Sequence, residues 1–191
     1  MNTATHERYF SPVKSIDRVG IVGAEGIGIG IALALLDADI PVTMFDKPDA
    51  LERALALLRA QVGQAVARGA MDAAKGERCL ALFSATQRFH HLKDADLVLE
   101  VLPCETDARE RFFRLLDEIG KPDAILAAHA CGSRLDRIAG LTRRPADVLG
   151  LDFPDPDDLS GRVKLVHGKA ASAESAATVL ALLGRIAKLD H

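Results

Sequence analysis

One stretch constrains this chain more than any other: Ile21-Val22-Gly23-Ala24-Glu25-Gly26-Ile27-Gly28-Ile29-Gly30. It joins two apolar segments of different character. Before it, Val19-Gly20-Ile21-Val22 reads as a short, fully buried strand. After it, Ile27 to about Ala38 reads as a helix that is apolar nearly all round, as befits a helix covered on both sides. Glycine at Gly23 permits a tight turn between them, and glycine at Gly28 lets helix and strand pack closely. The chain must leave a buried strand and enter a buried helix within a few residues.

The alternation continues. A second strand, Val42 to Phe45, ends in Asp46. A long amphipathic helix follows through Leu51, Leu55, Leu58, Val62 and Val66, spaced at three and four residues. A shorter helix spans about Met71 to Leu80. Strands are expected at Leu97 to Leu99, Ala124 to Ala127, Val148 to Leu151 and Val163 to Val166. Helices are expected at Arg109 to Ile119 and from near Ser172, the latter with Val179, Leu182, Leu183 and Ile186 on its inner face. Strand–helix alternation at this spacing implies parallel strands joined by right-handed crossovers. Continuous apolar strands imply a sheet covered on both faces. The expectation is a Rossmann-like, doubly wound α/β fold with a mainly parallel sheet in three layers. It forms one domain over residues 16–191, after a polar tail at 1–15. The loop Asp152 to Gly161, rich in Asp and Pro, follows a strand on the edge where such sheets bind ligands.

Composition narrows the function. The 191 residues carry a net charge of −3, are 49% hydrophobic and 27% charged. Basic residues are interspersed with acids, so no basic stripe points to nucleic acid. No apolar run is long enough to span a bilayer, and the N-terminus lacks the apolar core of a signal peptide. Cys79, Cys104 and Cys131 form neither a disulfide framework nor a zinc spacing. These features are those of a reduced, cytoplasmic protein. No metal site is expected: His90 and His91 are adjacent and point different ways, and Asp155, Asp157 and Asp158 read as a solvated loop.

The glycine turn carries the chemistry. A dinucleotide fold uses three glycines here: one for the turn, one against the pyrophosphate, one for helix packing. Gly23 and Gly28 fit the first and third roles. Glu25 takes the second. Shifting the frame to Gly26 and Gly28 puts Ile31 third, which does not restore the pattern. Asp46 stands where a carboxylate would accept hydrogen bonds from a ribose diol. Two unit charges about 4 Å apart repel by about 4 kcal/mol at an effective dielectric near 20. NAD is therefore expected to bind weakly or not at all, with Glu25 as the main reason. Two conformations of Glu25 are open: folding into the anion site to cap the helix, or swinging outward. The glycines serving packing alone is the other open reading.

These residues resemble the NAD-binding domain of the 3-hydroxyacyl-CoA dehydrogenases of fatty-acid oxidation. The resemblance covers about Ile16 to Leu189. It is carried by the glycine turn, Phe45-Asp46 with Ala50-Leu51-Glu52-Arg53-Ala54, and Ala95-Asp96-Leu97-Val98-Leu99-Glu100-Val101 with Pro103. Further along it rests on Pro122 to Ala127, Thr142-Arg143-Arg144-Pro145, Gly150, Asp152-Phe153 and Lys164-Leu165-Val166. It implies a cofactor site built from Gly23, Glu25, Gly26, Gly28, Asp46 and Glu100. It implies catalytic positions at Asp152, His167 and Cys131. There the family carries a His, its Glu partner and a substrate-orienting Ser. A family glutamate is replaced by Cys104 and a lysine by Arg109. The family also continues into a helical domain, expected to be absent from this chain, which ends at His191. An apolar face would then be left for a second copy or another partner chain.

In the family, the His takes a proton from the 3-hydroxyl while hydride leaves for the nicotinamide, and the Glu orients it. Asp152 is a poor substitute, because an exposed Asp titrates near pH 4. The pair reads as an exchange, with Asp152 and His167 expected to face one region at adjacent strand ends. His129 either faces the cleft or simply ends a strand; Cys131 is either a nucleophile or a small buried residue. Three readings stay open. One is a nucleotide- or acyl-CoA-binding pseudoenzyme. Another is an NAD-dependent dehydrogenase completed by a second chain. The third is a purely structural or interaction protein.

Overall fold

The structure, a computed structural model, describes residues 13–102, 106–129, 134–153 and 163–186. Among the described residues, seven strands form one sheet: β1 (Val19–Val22), β2 (Val42–Phe45), β3 (Phe83–Thr86), β4 (Leu97–Glu100), β5 (Ile125–His129), β6 (Val148–Asp152) and β7 (Lys164–His167). The spatial order is β3-β2-β1-β4-β5-β6-β7. β1 pairs in parallel with both β2 and β4, so the order reverses direction at β1. Every pairing is parallel except β6 with β7. The helices are α1 (Ile27–Asp37), α2 (Pro48–Ala67), α3 (Ala73–Ala81), α4 (Thr106–Ile119), α5 (Leu135–Ala139) and α6 (Ala173–Ile186). This is the doubly wound, mainly parallel α/β fold that the alternation implied.

Two hydrophobic clusters flank the sheet, as its side-chain alternation requires. Ile21, Leu99, Ala127, Leu149 and Leu151 point to one face, with Leu35 and Leu36 of α1 and Val179 of α6. Val22, Val98, Leu126, Ala128 and Val148 point to the other, with Phe113 and Leu116 of α4 and Ile138 of α5. β1 and β4 are buried along their whole length, which explains their unbroken apolar sequence. Asp117 at the end of α4 ties this second layer to the sheet. It accepts from Arg143 Nε and Arg144 Nε, each at 2.9 Å, and from the Arg143 N–H at 3.0 Å. Burial pushes its carboxyl up, but these hydrogen bonds together outweigh that and hold it below the usual carboxylate range.

Two elements depart from the sequence reading. β3 has no strand-like apolar run in Phe83-Ser84-Ala85-Thr86; it is an edge strand whose middle residues are exposed. Its pairing with β2, not its own hydrophobicity, makes it a strand. α5 is a single short turn of helix that periodicity cannot register. Among the described residues, no helix is long and apolar enough to cross a membrane.

Candidate functional site

The turn between β1 and α1 is built by its glycines. Gly23 sits at φ +115° and Gly26 at φ +44°, backbone conformations that favour glycine. A β-carbon on Gly28 would lie 2.3 Å from the Gly23 carbonyl oxygen. That carbonyl belongs to the backbone, so α1 can approach β1 only if residue 28 has no side chain. Val101, just beyond β4, closes over both glycines, with its Cγ2 3.0 Å and 3.2 Å from the same hypothetical carbons on Gly23 and Gly28. The turn roles assigned to Gly23 and Gly28 are those they hold here. Gly26 caps α1, and no side chain completes the cap. Among the described residues, no backbone hydrogen bond uses the N–H of Glu25, Gly26 or Ile27. Such N–H groups at a helix N-terminus suit an anion.

Glu25 resolves the choice left open by the sequence. It does not fold onto the helix N-terminus. Its Oε1 lies 2.9 Å from Arg53 Nη2, an exposed ion pair reaching from the turn to the second turn of α2. Asp46, at the end of β2, accepts from the Ala24 N–H at 2.7 Å and from the Lys47 N–H at 2.7 Å. The first bond ties the carboxylate to the glycine turn. A carboxylate offers about four acceptor positions, so Asp46 keeps capacity for further donors. Glu25, Arg53, Asp46, Lys47, Phe45 and Phe112 all line one cavity of about 830 Å³. The apolar wall is firm, because the Phe45 and Phe112 rings pack edge to face at 6.0 Å.

Glu100 has a different place from the one expected of it. Its side chain is fully buried at the end of β4. Oε1 accepts from the Leu102 N–H at 2.8 Å and from Arg109 Nη2 at 3.2 Å. Arg109 Nε lies 2.6 Å from Oε2, which completes a buried ion pair. Burial raises the Glu100 carboxyl above its ordinary range, and Arg109 opposes this. Glu100 therefore anchors α4 and the chain leaving β4 rather than touching the cavity.

The carboxyl ends of β5 and β6 bring other groups together. His129 ends β5 opposite Leu151, and its ring stands 5.7 Å from that of Phe153. Burial lowers its imidazole below the usual histidine range; Arg109 lowers it further, and Asp152 acts in the opposite sense. Cys131 and the acidic loop residues Asp155, Asp157 and Asp158 lie outside the described residues.

The expected meeting of Asp152 and His167 does not occur. β7 runs antiparallel to β6, with Lys164 opposite Asp152 and His167 opposite Leu149. Opposed residues share a face, and residues an odd number apart do not. Leu149 and Asp152 are three apart, so His167 and Asp152 point to opposite faces and stand about 10 Å apart along the strands. The reason is strand direction. An antiparallel β7 carries its last residue back towards the start of β6, whereas Asp152 sits at its end. Arg53 is the residue that sequence reasoning missed. It follows Asp46 by seven residues, in the second turn of the helix that enters beside the glycine loop.

The comparisons agree with this architecture. Residues 18–189 match the family model for "3-hydroxyacyl-CoA dehydrogenase, NAD binding domain". A Bacillus subtilis protein described as a "probable 3-hydroxybutyryl-CoA dehydrogenase" is 30% identical over 174 residues, which is 91% of this chain and 61% of that protein. The 3-hydroxybutyryl-CoA dehydrogenase of Mycobacterium tuberculosis is 33% identical over 175 residues, 87% of this chain and 61% of its own. The crystal structure of 3-hydroxybutyryl-CoA dehydrogenase from Escherichia coli superposes with a TM-score of 0.86 at 27% identity, covering 91% of this chain and 37% of that one. The chain thus spans about three fifths of the length of the curated relatives it matches. It belongs to the family of the 3-hydroxyacyl-CoA dehydrogenase NAD-binding domain.

Proposed function

We propose that this chain is a nucleotide-binding module that holds NAD weakly and does not carry out the family's hydride transfer through residues 152 and 167. The register of β7 on β6 is the observation that carries the reading, because it separates Asp152 from His167 in both face and position. Neither residue is a substitute for a positioned base. Asp152 lacks a partner imidazole on its own face of this strand pair, and His167 is exposed at the far end. NAD supplies a hydride acceptor when bound. Of the residues present, Asp46 suits a ribose diol, and the N–H groups at the start of α1 suit a pyrophosphate. Glu25 opposes that second contact with its charge, and Arg53 offsets part of it.

The test is direct. Incubation with NAD and 3-hydroxybutyryl-CoA, the substrate type named for the relatives, should give no NADH absorbance above a protein-free control. Turnover that is abolished by Asp152→Asn or His167→Ala would overturn the reading. The acyl-CoA alone should be titrated as well, since binding without turnover is what a binding module would retain.

A further inference from the structure

We infer that Arg53 is a positioning residue: it holds Glu25 away from the N-terminus of α1 and so keeps the anion site of the glycine turn open. This rests on the reading that the turn binds NAD weakly. Three observations carry it. The N–H groups of Glu25, Gly26 and Ile27 make no backbone hydrogen bond among the described residues. Gly26 caps α1 without a side-chain partner, leaving room for a neighbouring carboxylate. Glu25, flexible and directly before Gly26, is drawn instead to Arg53 at 2.9 Å, on the wall of the cavity.

Two fates compete for the Glu25 carboxylate. A helix N-terminus attracts an acid through its dipole and its orphan N–H groups. Arg53 attracts it as an ion pair. The two attractions are of similar size, since an exposed ion pair and a charge at a helix terminus are both weak and both screened by solvent. A modest change at Arg53 is therefore enough to redirect Glu25 onto the site where a ligand's pyrophosphate would bind. Arg53 acts through Glu25, not by contact with the ligand.

A double-mutant cycle separates these roles. NADH binding is measured by calorimetry in the unmodified chain, Arg53→Ala, Glu25→Gly and the double variant. Both side chains are exposed, so the fold should tolerate all three variants. Arg53→Ala is expected to weaken NADH about two- to fivefold when Glu25 is present, and to change nothing when residue 25 is glycine. In parallel, the amide resonances of Gly26, Ile27 and Gly28 in the ligand-free protein should shift on Arg53→Ala only in the Glu25 background. Equal weakening in both backgrounds would show that Arg53 touches the ligand, and would overturn the inference. So would unmoved amide resonances, a result that decides the question even where NADH binding by the Glu25 forms is too weak to measure. Micromolar binding by the unmodified chain would instead overturn the weak-binding reading, leaving the cycle to judge Arg53 on its own.

Discussion

The two ends of the carboxyl edge are held in different ways. At the β1–α1 end the backbone is intact: Gly23 and Gly28 sit where side chains would clash, and Asp46 is tied to the turn through Ala24. Glu25 is an exposed side chain on that frame, paired with Arg53. At the β5–β6–β7 end the groups are side chains, and the strand register sets which of them meet. His129 lies at the edge beside Phe153, while Asp152 and His167 occupy opposite faces. A phosphate site made of backbone persists as long as the fold does. A catalytic pair made of side chains depends on two residue identities, and nothing in the core protects those.

The largest effect is expected at the seam between the two ends. Glu100→Ala would leave the Arg109 guanidinium buried without its carboxylate. Breaking a buried pair in this way costs about 3–5 kcal/mol. Urea unfolding should show the loss, and a change below 1 kcal/mol would mean that α4 is anchored elsewhere.

Next come the glycines. Gly28→Ala forces a β-carbon against the Gly23 carbonyl oxygen, and overpacking of that kind costs about 1–3 kcal/mol. Gly26→Ala meets open space and suffers only its left-handed backbone, about 1–2 kcal/mol. Thermal denaturation of both should rank Gly28→Ala as the more damaging. The reverse order would mean that the close approach of α1 to β1 is not what the turn protects.

A smaller effect tests the other end. The folded protein holds His129 below its ordinary range, chiefly by burial. The unfolded chain then binds more protons between the folded pKa and about 6.5, so stability rises with pH through that window. It is fully present above about pH 6.5 and declines as pH falls towards the folded value. Comparing unfolding of the unmodified protein with His129→Gln at pH 7.5 and 5.5 should show a steeper acid loss in the unmodified protein. Identical pH dependence would show that His129 is not held neutral.

Much of the fold was legible because burial writes itself into sequence. β1, β2 and β4 have the apolar runs that a covered sheet demands, and α1 is apolar on all sides for the same reason. β3 was not legible, because an edge strand needs little hydrophobicity of its own. At the site, the turn roles of Gly23 and Gly28 and the position of Asp46 at the end of β2 could be read from spacing alone, since they depend on the local chain. The relation of Asp152 to His167 could not be. It turns on the direction of β7, and four residues of strand read the same in either direction. Arg53 escaped notice because its partner is distant in sequence and only the crossover from β1 to α2 brings them together.

The central claim is that Glu25 weakens a dinucleotide site whose backbone is otherwise intact. Calorimetric titration of NADH into the unmodified protein and into Glu25→Gly tests it most directly. Even a quarter of the repulsion between two unit charges at about 4 Å, about 1 kcal/mol, corresponds to about fivefold in affinity. Binding weaker than micromolar is expected in the unmodified chain, tightening at least about fivefold in Glu25→Gly. Micromolar or tighter binding by the unmodified chain, or equal affinity in both, would contradict it.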